Sequence, residues 1–177
     1  MKTRFFSMTF LIALMMTATL TAVANDNPKP VTTIILLKHA ETTDVNAENP
    51  NLSEQGMRRS ELLADLFKST PINALYACKH ERTNGTLKPL SAAKGIKLQQ
   101  YNSTELSKSL FNMYSGNIGN TIVICGDEKS LPKMLNMLTG TTDYTNLSKE
   151  EFDNVFVLTS SQLGKADVKK VKYATNL

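Results

Sequence analysis

The sequence predicts an α/β domain, a three-layer α/β/α sandwich with a mainly parallel sheet and an antiparallel edge strand. Three observations lead there. Apolar runs and helix-period segments alternate four times along the chain, the pattern of consecutive β-then-α units. The runs Ile34-Ile35-Leu36-Leu37 and Ile122-Val123-Ile124-Cys125 are continuously apolar, as strands covered on both faces must be. Two more strand-like segments close the chain around Gly164 with no helix between them, which places an antiparallel addition at one edge.

Each element has a local reason. Val31 to Leu37 is β-branched and then wholly apolar, and it stops at the polar sequence Lys38-His39-Ala40-Glu41-Thr42. Ser53 is placed to cap a helix running to about Phe67, with Met57, Leu62, Leu63, Leu66 and Phe67 as its expected apolar side. Ile72 to Ala77 follows Pro71 as a second strand. A helix over roughly Thr83 to Lys94 contains Pro89, which predicts a kink or a late start, and Gly95 ends it. Ile96 to Tyr101 reads as a short third strand and Ser103 to Tyr114 as a helix. Thr121 to Cys125 is the fourth strand, and Gly126-Asp127-Glu128 turns the chain. Leu131 to Leu138 has helical spacing with Pro132 in its first turn, where a missing N–H is tolerated. Asn154 to Thr159 and Asp167 to Tyr173 complete the strands.

The first 24 residues are a unit apart: Lys2 and Arg4, an apolar core from Phe5 to Met16, and Ala22-Val23-Ala24, the pattern of a secretory signal peptide with its cleavage site. A periplasmic or secreted protein is expected, with a flexible leader over residues 25–30 and one domain over 31–177. Without Lys2 and Arg4 there are 18 basic against 16 acidic side chains, about +2 rather than +4, which speaks against a nucleic-acid partner. No other apolar stretch approaches the length of a membrane span, so no membrane contact is expected after signal removal. Two cysteines, Cys78 and Cys125, and two histidines offer no metal-site spacing, so neither a metal nor a cofactor is expected. The two cysteines could form one bridge or remain buried thiols.

Three segments carry candidate chemistry. The first strand ends in Leu37-Lys38-His39-Ala40-Glu41 and the next helix opens with Leu52-Ser53-Glu54-Gln55-Gly56. The second strand leads to Arg82-Thr83 and Thr86, and the fourth to Gly126-Asp127 and then Ser130-Leu131-Pro132. In open α/β sheets ligands bind beyond the carboxyl ends of the strands, where all of these fall. Order and spacing resemble the histidine phosphatase superfamily, the phosphoglycerate mutase-like family, and in particular its small exported bacterial members. The closing Glu151-Phe152-Asp153-Asn154-Val155 is similar to that family's usual approach to its last strands.

The resemblance implies phosphate monoester hydrolysis through a phosphohistidine, in which one hard displacement becomes two easier ones. It makes His39 the nucleophile, with Lys38 and Arg82 as phosphate-binding cations and Asp127 at the place of the family's second catalytic histidine. Arg58 and Arg59 read as surface charges. Two departures imply that this activity is weak or lost. Lys38 stands where the family has arginine and loses the planar fork that grips two oxygens. Asp127 puts an anion where a donor belongs; one carboxylate about 4 Å from one phosphate charge costs roughly 1 kcal/mol in water and about 4 at an effective dielectric of 20. A protonated Asp127, or a cation from Lys129 or His80, would compensate. Glu41, Glu81, Glu105 and Glu128 are the candidate general acids, each also readable as a surface charge. The expected partner is a phosphorylated small molecule or another anion in an open, shallow pocket. The alternative is a catalytically inactive pseudophosphatase that binds an anionic ligand or a protein partner there.

Overall fold

The structure is a computed structural model that describes residues 28–177 except 45, 46, 146, 149 and 176. The expected signal peptide and the first half of the leader, residues 25–27, lie outside the described residues. Ten elements follow in the order β1 (Thr32–Lys38), α1 (Glu54–Leu66), β2 (Ala74–Cys78), α2 (Glu81–Lys94), β3 (Leu98–Tyr101), α3 (Leu106–Ser115), β4 (Thr121–Gly126), α4 (Ser130–Thr139), β5 (Asn154–Ser160) and β6 (Asp167–Lys172).

The six strands form one sheet in the order β3-β2-β4-β1-β5-β6. The first four strands are mutually parallel, β5 runs antiparallel to β1, and β6 antiparallel to β5. The expected α/β architecture, mainly parallel with an antiparallel addition, is therefore what forms.

Strand alternation divides the core into two. Ile34, Leu36, Ile122 and Ile124 face one side, where α3 and α4 cover them with Leu110, Met113, Leu131, Met134 and Leu138. Ile35, Leu37, Val123 and Cys125 face the other, beneath Leu63 and Ala64 of α1, Phe67 just past its end, and Leu87 and Leu90 of α2. Continuous apolar strands are thus required by a helix layer on each face. The chain travels from β1 outward to β3 with α1 and α2 on one face, then returns through α3 to β4 with α4 on the other. The reversal falls between β1 and β4, and that crevice is the position where such sheets bind ligands.

Two local expectations need correction. The buried side of α1 is Gly56, Arg59, Ser60, Leu63 and Ala64, while Met57, Leu62 and Leu66 are exposed. The helix docks through the small residues Gly56, Ser60 and Ala64 with Leu63 and Arg59 among them, so apolar spacing alone does not mark its inner face. Helix α2 begins at Glu81, two residues before Thr83, and runs on through Pro89. The far edge strand β6 exposes Lys169, Lys170 and Lys172, charges that discourage edge-to-edge pairing. Among the described residues no helix is long and apolar enough to cross a membrane.

Candidate active site

The carboxyl ends of β1, β2 and β4 meet beside the β1/β4 crevice. His39 follows β1 directly, and its N–H donates to the Gly126 carbonyl at 3.0 Å, extending the ladder by one rung. The next residue is held from the other side: Ala40 N–H donates to Thr86 Oγ1 at 2.9 Å, and that hydroxyl donates to the Arg82 carbonyl at 2.7 Å. Thr86 therefore ties the start of α2 to the histidine turn, and Thr83, donating to the Cys78 carbonyl at 2.8 Å, ties the same helix to β2.

His39 Nδ1 lies 2.8 Å from the carbonyl oxygen of Ala40. A carbonyl only accepts, so Nδ1 carries the proton and Nε2 presents its lone pair. Burial holds the imidazole below its ordinary pKa; the Ala40 hydrogen bond opposes this, Arg82 and Lys38 reinforce it, and Glu128 opposes it. The ring is neutral at pH 7, the form a phosphorus nucleophile requires.

Both cations reach the site already engaged. Lys38 is 4 % exposed, and burial pulls it down to about 8 against the pull of Glu128, Glu151 and Glu41. Its ammonium donates to the Ser148 carbonyl at 3.2 Å and sits 4.1 Å from the ring centroid of Phe152, a cation–π contact. Phe152 also packs against His39, with ring centroids 6.1 Å apart. Arg82 places Nη2 3.9 Å from Asp127 Oδ2 and donates from Nη1 to the Glu48 carbonyl at 3.3 Å.

Asp127 is buried and serves as a helix cap. Its Oδ1 accepts from Ser130 N–H at 2.8 Å, from Ser130 Oγ at 2.7 Å and from Lys129 N–H at 3.1 Å. Asp127 N–H donates back to Ser130 Oγ at 3.0 Å, and Leu131 N–H donates to the Asp127 carbonyl, so residue and serine cap α4 reciprocally. Burial raises the carboxyl pKa, but these bonds and Arg82 outweigh it and the net shift is downward. The protonated Asp127 considered from the sequence is thereby contradicted: three donors and a helix N-terminus favour the anion.

Glu128 adds a second anion, with Oε2 3.6 Å from His39 Nε2. Burial raises its pKa, yet backbone hydrogen bonding, His39 and Arg82 leave it below the ordinary value. A carboxyl held ionised is a poor proton donor to a leaving group. Arg82, Asp127, Glu128, Lys129 and His80 line one open cleft of about 570 Å³.

The Leu52-Ser53-x-x-Gly56 motif has a mechanical role. Ser53 Oγ accepts from Gly56 N–H at 3.1 Å, Ser53 N–H donates to the Glu41 carbonyl at 2.9 Å, and Thr42 bridges Leu52. A Cβ on Gly56 would lie 2.1 Å from that Glu41 carbonyl oxygen, so only glycine lets α1 dock here. Arg59 is not the surface charge expected. It is 5 % exposed, grips Glu41 with Nε at 2.9 and 3.0 Å and Nη2 at 2.7 Å, and donates to the Ala174 carbonyl at 3.0 Å. Glu41 is correspondingly an ion-pair partner and not a solvated acid. Spacing carried no sign of this pair, because its members sit on a turn and a helix 18 residues apart. The cysteines are buried free thiols: Cys125 pairs in register with Ala77, so Cys78, one residue further on, points to the opposite face of the sheet.

Residues 34–105, which contain the first two groups of motifs, match the family model of the histidine phosphatase superfamily (branch 1). No curated protein matches the chain. Among solved structures, a candidate alpha-ribazole-5'-P phosphatase from Escherichia coli is similar at TM-score 0.67 and 10% identity, covering 80% of this chain and 96% of its own. The protein histidine phosphatase SixA, complexed with tungstate, is similar at TM-score 0.65 and 11% identity over 79% of this chain and 96% of that one. Phosphoserine phosphatase from Entamoeba histolytica, in complex with 3-phosphoglyceric acid, gives TM-score 0.59 and 12% identity over 72% and 90%. The fold is thus that of phosphoglycerate mutase-like phosphatases, and the chain carries the histidine phosphatase superfamily pattern over the segment that holds His39 and Arg82.

Proposed function

We propose that this protein is an exported histidine-phosphatase-like protein, a hydrolase of phosphate monoesters through a phosphohistidine at His39 whose activity is weak. The observation that carries the reading is Asp127: an ionised carboxylate 3.9 Å from the guanidinium that would hold the phosphate. His39 retains what attack requires, a neutral ring with Nε2 unprotonated. What is reduced is stabilisation of the equatorial oxygens in the transition state. Arg82 is shared with Asp127, Lys38 is drawn to Phe152 and Ser148, and Glu128 stands beside the attacking nitrogen.

The substrate class by this reading is a small phosphorylated molecule entering an open cleft. The test is hydrolysis of an aryl phosphate by the purified protein beside its His39→Ala variant. Slow turnover lost on substitution supports the reading; turnover that survives His39→Ala overturns the mechanism. Anion binding with no turnover beyond the His39→Ala background would establish the pseudophosphatase instead.

A further inference from the structure

We propose that Cys78, His80 and Asp127 form a three-ligand site for a zinc-type divalent cation, with its fourth position open to the cleft. One ligand atom from each, the Cys78 sulfur, a His80 ring nitrogen and an Asp127 carboxylate oxygen, lie within 4.8 Å of one another. Cys78 Sγ and His80 Nδ1 are already 3.3 Å apart. Two ligands at metal–sulfur and metal–nitrogen distances of about 2.3 and 2.0 Å in a tetrahedron stand about 3.5 Å apart, so this pair is already at ligand spacing and the carboxylate must close in from within 4.8 Å.

The scaffold holds all three firmly. Cys78 ends β2, and His80 follows in a tight turn whose N–H donates to the Cys78 carbonyl at 2.8 Å. Asp127 follows β4, which is paired with β2 at Ala77 and Cys125. Oδ1 of Asp127 is taken by Ser130 and Lys129, while among the described residues Oδ2 has only Arg82, at a distance too long for a direct hydrogen bond. That leaves Oδ2 as the ligand atom, for which the cation competes with Arg82.

The donor set selects the metal. Thiolate, imidazole and carboxylate together suit Zn²⁺, whereas Mg²⁺ and Ca²⁺ require oxygen ligands throughout. On binding, the Cys78 thiol gives its proton to solvent as the metal–sulfur bond forms, and the two anionic ligands balance the dication. His80 and Asp127 both line the cleft, so water or a phosphate oxygen would complete the tetrahedron from that side. The site does not require that the protein be a phosphatase. It arises from the same substitution that weakens phosphate binding, because an aspartate is a metal ligand where it is a poor anion partner.

The experiment is Co²⁺ titration of the reduced, chelator-stripped protein, followed by displacement with Zn²⁺. One equivalent should bind with a sulfur-to-cobalt charge-transfer band that Zn²⁺ abolishes. Cys78→Ser should remove the band and Cys125→Ser should keep it. His80→Ala, at a partly exposed turn position, should weaken binding at least about tenfold and carries the test if Cys78→Ser does not fold. Arg82→Gln should tighten binding by freeing Oδ2. No stoichiometric cobalt binding, or a band that persists in Cys78→Ser, would overturn the proposal.

Discussion

Replacing Asp127 with asparagine isolates the charge that sets this site apart. The amide keeps the acceptor that receives Ser130 and Lys129, and asparagine caps helices about as well as aspartate, so α4 should keep its start. What disappears is one negative charge 3.9 Å from Arg82. An oxyanion seated on that guanidinium would lie about 4 to 5 Å from Oδ2, where repulsion is roughly 1 kcal/mol per charge in water and about 3 to 4 at an effective dielectric of 20. A tungstate or phosphate dianion should therefore bind at least about tenfold more tightly to Asp127→Asn. Calorimetric titration with tungstate at fixed low ionic strength reads the affinity, and a thermal melt reads the cap. An unchanged affinity with an unchanged melt would show that Asp127 does not face the bound anion and would remove it as the lesion. Asp127→His is a coarser repair, since it adds a donor but removes the cap, at a cost of about 1 kcal/mol.

Other outcomes follow from the same geometry. Gly56→Ala should destabilise the fold by about 1 to 3 kcal/mol or more, read from denaturant midpoints, because its methyl meets a backbone carbonyl that cannot swing aside. Arg59→Ala should cost about 3 to 5 kcal/mol by stranding Glu41 in a mostly buried place, and Arg59→Ala with Glu41→Gln together should recover part of it; equal losses in single and double variants would count against the pair. Lys38 is held at about 8 in the fold against 10.5 when unfolded, so between these pH values the unfolded chain binds more protons and this group's contribution to stability rises with pH. The stability difference between wild type and Lys38→Met should change by roughly 3 kcal/mol in favour of the wild type across that window; a difference that is flat with pH refutes it. Measuring the difference matters because the buried thiols and Tyr101, whose pKa values burial raises, act in the opposite direction in alkali.

The architecture was legible because it rests on local chemistry. Two wholly apolar strands can be buried only between two helix layers, and alternating β and α segments can be joined only by crossovers, so the composition of Ile34 to Leu37 and Ile122 to Cys125 decided the sheet's parallel core. The positions of His39, Arg82 and Asp127 beyond strand ends were equally readable, since His39 and Asp127 come within two residues of an apolar run and Arg82 opens the helix that follows one. The states of those groups were not. Whether Asp127 is charged depends on Ser130 and Lys129 donating to it, and whether Lys38 is available depends on Phe152, 114 positions along the chain. The same limit hid the burial of Arg59, the inner face of α1 and the closeness of Cys78, His80 and Asp127. Hydrophobic period is written residue by residue, whereas a pKa, an ion pair or a ligand set is fixed by distances between segments that only the folded chain brings together.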